Sequence, residues 1–183
     1  MAYRSGIFPW TVEPITWWSP DPRAIFELHQ FHVPRSLRAV LRKGLFEISI
    51  DTAFDRVIRA CAEPSEGRRN TWISPEFIQA YNRLYAAGYA HSVECWEGDS
   101  LVAGIYGVGI GGLFAGESMF HRVDNASKVA LHHLVRHLQM RGYVLFDIQM
   151  LTPVTRQLGA IEITRREYLE RLTTALGLVC SFR

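Results

Sequence analysis

Two strand-like runs, His91–Trp96 and Leu101–Val108, flank the turn-forming Glu97-Gly98-Asp99, and no other feature of the 183 residues limits the fold as tightly. Short runs rich in Val, Ile, Tyr and Trp around a glycine-containing loop read as a β-hairpin. The turn Gly109 to Gly112 then leads into a third strand over Leu113 to Gly116. Because this glycine cluster lies between strands and not ahead of a helix, it reads as a hairpin turn and not a phosphate cradle. A sheet of this kind must be covered. The cover is visible downstream, where Val129, Ala130, Leu134 and Leu138 recur at helical spacing, with Asp124 or Asn125 as cap and Gly142 as stop. Tyr143–Ile148 is a short apolar strand interrupted by Asp147, and Arg166–Leu176 is a last helix. Strands, helix, strand, helix on a mixed sheet is an α+β order.

The first 34 residues differ in kind. Pro9, Pro14, Pro20, Pro22 and Pro34, with Trp10, Trp17 and Trp18, fix backbone angles and remove donors, so this segment is expected to be an extended arm or small subdomain with little regular structure. The rest, 35–183, is the main domain. Arg35–Lys43 carries a basic face, Asp51–Ala62 reads as a helix capped by Asp51, and Ser74-Pro75 opens another that ends near Gly88. With 48% apolar and 21% charged residues the chain can bury a sizeable core. A formal net charge of +2 is far from the strongly basic balance of domains that bind nucleic acid by charge alone, so any RNA contact must be a local patch. Cys61, Cys95 and Cys180 are odd in number and widely spaced, which fits neither a zinc motif nor a disulfide framework and suits a reducing compartment. No run approaches the roughly 20 apolar residues of a membrane span, and the N-terminus lacks the pattern of a leader. A cytoplasmic protein without a membrane partner is expected.

One set of words is more specific. Phe114-Ala115-Gly116-Glu117-Ser118-Met119-Phe120, Asn125-Ala126-Ser127-Lys128 and Phe146-Asp147-Ile148-Gln149 follow Gly6-Ile7-Phe8-Pro9-Trp10, Trp17-Trp18-Ser19-Pro20, Thr71-Trp72-Ile73 and His91-Ser92-Val93-Glu94. Together, in this order, they closely resemble the leucyl/phenylalanyl-tRNA–protein transferases across nearly the whole chain. The resemblance implies an acetyltransferase-like (GNAT-like) core with a small N-terminal domain, expected to be shorter here than in the family, and no metal or coenzyme. It also implies a reaction. Leucine or phenylalanine, sometimes methionine, passes from leucyl-tRNA or phenylalanyl-tRNA to proteins beginning with arginine or lysine and marks them for degradation by the N-end rule. The chain departs from the family's pattern in a longer loop over Ala62–Thr71, in Cys95 for valine, in His121 for serine and in Thr164 for proline.

The chemistry is aminolysis of an activated ester. An α-amine has a reference pKa near 7.7 to 8.0, so on the order of 10% is already neutral at pH 7. Positioning, worth up to about 7 to 11 kcal/mol, should therefore outweigh general-base help of roughly 10² to 10⁴-fold. Asp147 and Gln149 lie two apart in a strand and share one face, where they can orient the incoming amine. A plainer reading makes them a strand end and a polar exit residue; yet a carboxylate inside an apolar strand is costly to bury. The resemblance places both beside the reacting ester. Glu117 can bind the amine, a ribose hydroxyl or the acceptor's basic side chain, or serve only as an ion-pair partner within the sheet. These three are the expected catalytic group.

Trp10 and Trp72 offer faces for the terminal adenine, as single-stranded RNA ends are commonly stacked, though either can be core. Ser118, Ile105, Met119, Phe120, Leu131 and Leu134 are the expected walls of the amino-acid pocket. Each is equally consistent with plain packing. Arg35, Arg38, Arg42 and Lys43 form the densest cationic segment outside Arg165-Arg166, and the resemblance assigns Arg42-Lys43 to tRNA. His132-His133 invite a metal, but neighbours on a helix point different ways. Two other functions fit less well. A coenzyme A-dependent acetyltransferase wants a glycine-rich loop where Asp124-Asn125-Ala126-Ser127-Lys128 stands, and a non-catalytic tRNA-binding module leaves Glu117, Asp147 and Gln149 without a purpose.

Overall fold

The computed structural model describes residues 2–12, 14–64 and 71–183. In chain order the strands are β1 (Phe8–Val12), β2 (Ile15–Trp18), β3 (Arg23–Phe26), β4 (Glu47–Ile50), β5 (Ala90–Glu97), β6 (Ser100–Ile110), β7 (Leu113–His121), β8 (Leu145–Gln149) and β9 (Ala160–Ile163). The helices are α1 (Arg35–Lys43), α2 (Phe54–Ala62), α3 (Pro75–Ala86), α4 (Ala126–Met140), α5 (Pro153–Gln157) and α6 (Arg165–Leu176). Seven strands make one mixed sheet in the order β4-β5-β6-β7-β8-β3-β9, and β1 and β2 form a separate hairpin. All neighbours are antiparallel except β7 and β8. The α+β, mixed-sheet architecture is the one the sequence predicts.

The hairpin and the covering helix appear where the residue pattern puts them. Gly111, in the β6–β7 turn, has φ of +58°, which glycine adopts without strain. Ser74 caps α3, accepting from the Phe77 amide, with Pro75 at the first helical position. One face of the sheet packs Phe26, Ile105, Phe114 and Phe146 against Leu131, Leu134 and Leu138 of α4. The other is covered by α2 and α3, through Phe54, Val57, Ile58 and Tyr81, and by α6, through Tyr168, Leu172 and Ala175.

Three expectations need correction. The first 34 residues are not merely an arm: β1 and β2 pair in spite of Pro9, and β3, which contains no proline, lies inside the main sheet between β8 and β9. Pro20 and Pro22 only separate hairpin from strand. Asp51 does not cap α2, whose cap residue is Ala53; with φ of +56°, it accepts from the Ser92 amide and pairs with His91 and Arg183. The amides ahead of α2 turn instead to Glu94, fully buried on β5, which accepts from Thr52 and Ala53. Finally, β7 continues past Gly116 to His121 and carries Glu117 to Phe120 into the sheet. Of the longer loop expected over Ala62–Thr71, residues 65–70 lie outside the described residues. No described helix is long and apolar enough to cross a membrane.

Candidate active site

The site is built where the sheet comes apart. β7 and β8 pair only over Leu113–Ala115 and Leu145–Asp147, and beyond these residues the two strands separate. Each is bulged at the point of separation. On β7, Tyr106 faces Ser118 while Gly107 faces Gly116, leaving Glu117 as the extra residue. On β8, Ala24 faces Gln149 while Ile25 faces Asp147, leaving Ile148 as the extra residue. Bulges bend a strand and re-aim its side chains, and here they turn Glu117 and Gln149 toward one another. Gly107 permits the first of them, since a Cβ there would collide with the Ala115 carbonyl and the Phe114 ring.

A cavity of about 170 Å³ opens in the split. Apolar walls come from Phe26, Ile105, Met119, Leu131, Phe146 and Ile148, and polar edges from Glu117, Ser118, Gln149, Thr152 and Thr155. Of the expected wall residues, Ile105, Ser118, Met119 and Leu131 line it. Phe120 and Leu134 do not: Phe120 packs with the α2 and α3 cluster, and Leu134, on α4, is fully enclosed in the core against the sheet. Alternation explains the first, because Phe120 follows Met119 and so faces the opposite side of the sheet.

Glu117 receives three neutral donors. The Tyr3 hydroxyl donates to Oε1 (2.9 Å), the Tyr81 hydroxyl to Oε2 (2.8 Å), and the Gln149 amide nitrogen to Oε1 (3.2 Å). Tyr3 and Tyr81 also touch, oxygen to oxygen, at 2.7 Å. Burial pushes the Glu117 carboxyl up to about 7; the two tyrosine donors and distant Arg23 lower it in part, and the Asp147 charge adds to the rise. Burial, reinforced by the Glu117 charge, raises both tyrosines well above the usual phenol range, so they remain donors.

Asp147 has different company. Its Oδ1 accepts from Arg23 Nε (2.9 Å) and the Gln149 backbone amide (2.8 Å), and its Oδ2 from Arg23 Nη2 (2.6 Å) and the Tyr168 hydroxyl (2.9 Å). Arg23 and Asp147 are each 1% exposed. Asp147 does not line the cavity, whereas Gln149 does. The expected shared face is broken at Gln149, whose φ of +60° interrupts the strand alternation.

The two tryptophans reach this cluster through other rings. Trp72, 36% exposed, stands edge-on to Phe77, which neighbours Tyr81. Trp10, similarly exposed, packs on Trp18 and on Phe8, whose ring lies 4.9 Å from the Arg23 guanidinium carbon. Arg35, Arg38, Arg42 and Lys43 are all exposed on α1, with Leu37 as its buried anchor. Among the described residues no group of three or more His, Cys, Asp or Glu is placed to hold a metal ion.

Arg23, Tyr168, Tyr3 and Tyr81 were not legible as site residues. The only signal was indirect: Asp147 in an apolar strand demands a partner, but nothing local names it.

Comparison with known proteins identifies the family. Residues 25–173 match the model of the leucyl/phenylalanyl-tRNA protein transferase family, and residues 1–21 that of its N-terminal domain. A leucyl/phenylalanyl-tRNA–protein transferase of Azoarcus sp. (strain BH72) is 54% identical over 177 residues, covering 94% of this chain and 75% of that protein. One of Gloeobacter violaceus is 51% identical over 185 residues, covering 100% and 94%. Among solved structures, L-PGS from Bacillus licheniformis superposes with a TM-score of 0.50 at 15% identity, over 81% of this chain and 50% of that one. At such identity the likeness concerns the fold alone, a mixed sheet covered by helices. Family models over most of the chain and relatives at about half identity place it plainly: the chain belongs to the leucyl/phenylalanyl-tRNA protein transferase family and is an aminoacyltransferase.

Proposed function

We propose that the protein moves leucine or phenylalanine, and methionine as a further substrate, from leucyl-tRNA or phenylalanyl-tRNA to the α-amine of cytoplasmic proteins that begin with arginine or lysine, marking them for N-end rule degradation. The observation that supports this most is the pairing of a mainly apolar cavity of about 170 Å³ with a carboxylate and an amide at its edge. The amino-acid side chain occupies the apolar part. An apolar wall distinguishes single methylenes by only about 1 to 3 kcal/mol, so several unbranched or aromatic side chains are accepted.

The acceptor's α-amine then approaches the ester carbonyl beside Glu117 and Gln149. A new C–N bond forms, the C–O bond to the ribose breaks, and the ribose oxygen leaves with a proton. Glu117, at about 7, lies within about one unit of an α-amine's reference value, so it can hold the ammonium form and accept its proton without a large barrier. The tRNA ester is itself the activated group, and no protein nucleophile is required. The terminal adenine stacks on Trp72, with Trp10 as a second face, and α1 meets the tRNA body through Arg35, Arg38, Arg42 and Lys43. The testing assay combines purified protein, labelled leucyl-tRNA and a peptide beginning with arginine. Ribonuclease-sensitive labelling of the peptide, indifferent to coenzyme A, is expected. Acetyl transfer from acetyl-coenzyme A with none from charged tRNA would overturn the reading.

A further inference from the structure

Asp147 is saturated. An ionised carboxylate offers about four acceptor directions, and all are taken by Arg23 Nε, Arg23 Nη2, the Tyr168 hydroxyl and the Gln149 backbone amide. At 1% exposure it presents no oxygen to the cavity or to solvent. Arg23 is equally enclosed. Its Nη1 donates to the Gly6 carbonyl (3.2 Å), and its guanidinium carbon lies 4.9 Å from the Phe8 ring and 4.3 Å from the Tyr168 ring. Bidentate, sandwiched and cut off from water, such an arginine orients a carboxylate more rigidly than a lysine can.

What this carboxylate does is visible one bond further on. Gln149 has φ of +60°, a backbone conformation that L side chains rarely adopt. Its amide hydrogen is held by Asp147 Oδ1 at 2.8 Å. From that backbone its side chain reaches Glu117 at 3.2 Å and borders the cavity. An extended Gln149 would place its side chain by the ordinary strand alternation and withdraw it from Glu117.

We infer that Arg23 and Tyr168 are positioning residues for the transfer reaction: they fix Asp147 as a clamp on the Gln149 backbone, which makes Asp147 a support of the site and not its proton acceptor. The inference rests on the proposed aminoacyl transfer for its kinetic consequence, but not for the clamp itself. Local strain of this kind persists only where the surroundings over-determine it. Here the surroundings are β3, which carries Arg23, and α6, which carries Tyr168. Neither Arg23 nor Tyr168 borders the cavity, although β3 also carries the wall residue Phe26.

The test uses Tyr168→Phe, Arg23→Lys and Asp147→Asn in the full chain, with two readouts. The first is the amide resonance of Gln149 in nitrogen-15-labelled protein, which the hydrogen bond to a carboxylate should displace from its ordinary position. Tyr168→Phe should leave the fold intact and move this resonance, and Asp147→Asn should move it further. The second is single-turnover kinetics from pH 6 to 9. Tyr168→Phe should lower the rate roughly 10-fold, about the effect of one charge-assisted hydrogen bond, with the Michaelis constant for charged tRNA unchanged. Asp147→Asn should lose more, by the same factor at every pH. A loss for Asp147→Asn that shrinks steadily as pH rises would make Asp147 a proton acceptor and overturn the clamp. So would a folded Tyr168→Phe that matches the parent in both rate and amide position. If Arg23→Lys fails to fold, Tyr168→Phe carries the decision. If the parent transfers nothing to an arginine peptide, the functional reading fails, while the Gln149 resonance still decides the clamp.

Discussion

The two carboxylates on either side of the β7–β8 split sit in one sheet, on strands that pair for three residues and then part, yet they are treated in opposite ways. Asp147 faces a guanidinium and has every acceptor direction filled, whereas Glu117 faces only hydroxyls and an amide and borders a cavity. A buried charge is tolerable when paired, and when it lacks a cation it gives up part of its charge. That is why Glu117 is raised to about 7. One bank of the split has been made rigid and electrically settled. The other has been left wanting a cation, which an incoming ammonium or a basic side chain can supply.

From that contrast, removing the unsettled carboxylate should have the largest effect on turnover. Glu117→Ala should lower kcat/KM for an arginine-initiated peptide on the order of 10² to 10³-fold, the scale of deleting one partner of a desolvated charge pair. An equal loss with a peptide beginning with an uncharged residue would assign Glu117 to the α-ammonium that every acceptor carries and not to the basic side chain. Next comes the ring stack on the same bank. Trp72→Ala should weaken aminoacyl-adenosine binding by about 1 to 3 kcal/mol, measured by calorimetry; Trp10→Ala, whose ring already packs on Trp18, should cost less. A melting temperature that drops while affinity holds would return Trp72 to the core.

Away from both banks, replacing Arg42 and Lys43 together with alanine should flatten the salt dependence of charged-tRNA binding, by roughly 0.7 to 0.9 in slope for each phosphate that is no longer neutralised. A minimal aminoacyl-adenosine donor should be nearly unaffected. Equal losses with both donors would assign the pair to the fold. The smallest effect is the most direct. The Glu117 carboxyl resonance should titrate near 7, and Tyr81→Phe, by removing a donor that favours the ionised form, should move the midpoint upward. Because the folded-state value lies above the reference of 4.5, the folded chain holds the extra proton between these values, and this group's contribution to stability falls as pH rises from about 4.5 to 7. Glu117→Gln should flatten that part of the stability–pH curve. An unchanged curve, with a midpoint near 4.5, would erase the difference between the banks.

Legibility in the sequence followed the range of the interactions. The β5–β6 hairpin, the β6–β7 turn, the α4 stripe and the Ser74 cap are local patterns, and each could be read where it stands. β3 and β9 are four residues each and carry no alternation that sets them apart from loop. Strand β7 looked shorter than it is, because Glu117 and Ser118 break its apolar run while the bulge at Glu117 carries the pairing through. The residue type of Asp51 suggests a cap, whereas its left-handed backbone turns it to His91 and Arg183. The motif words marked Glu117, Asp147 and Gln149, but the residues that decide how each behaves are Tyr3, Tyr81, Arg23 and Tyr168, and those pairings exist only after the chain has closed long loops.

That closure has a consequence in time. The Tyr3–Glu117, Arg23–Asp147 and Arg23–Tyr168 hydrogen bonds span 114, 124 and 145 residues. On a ribosome the chain emerges N-terminus first, and pairings of such separation form only once most of it is available. The β5–β6 hairpin and α4 can gather early, but the Gln149 amide has no settled partner until α6 has been synthesised and has docked. Until α6 has docked, Asp147 lacks the Tyr168 donor, so the surroundings of the Gln149 amide stay incomplete.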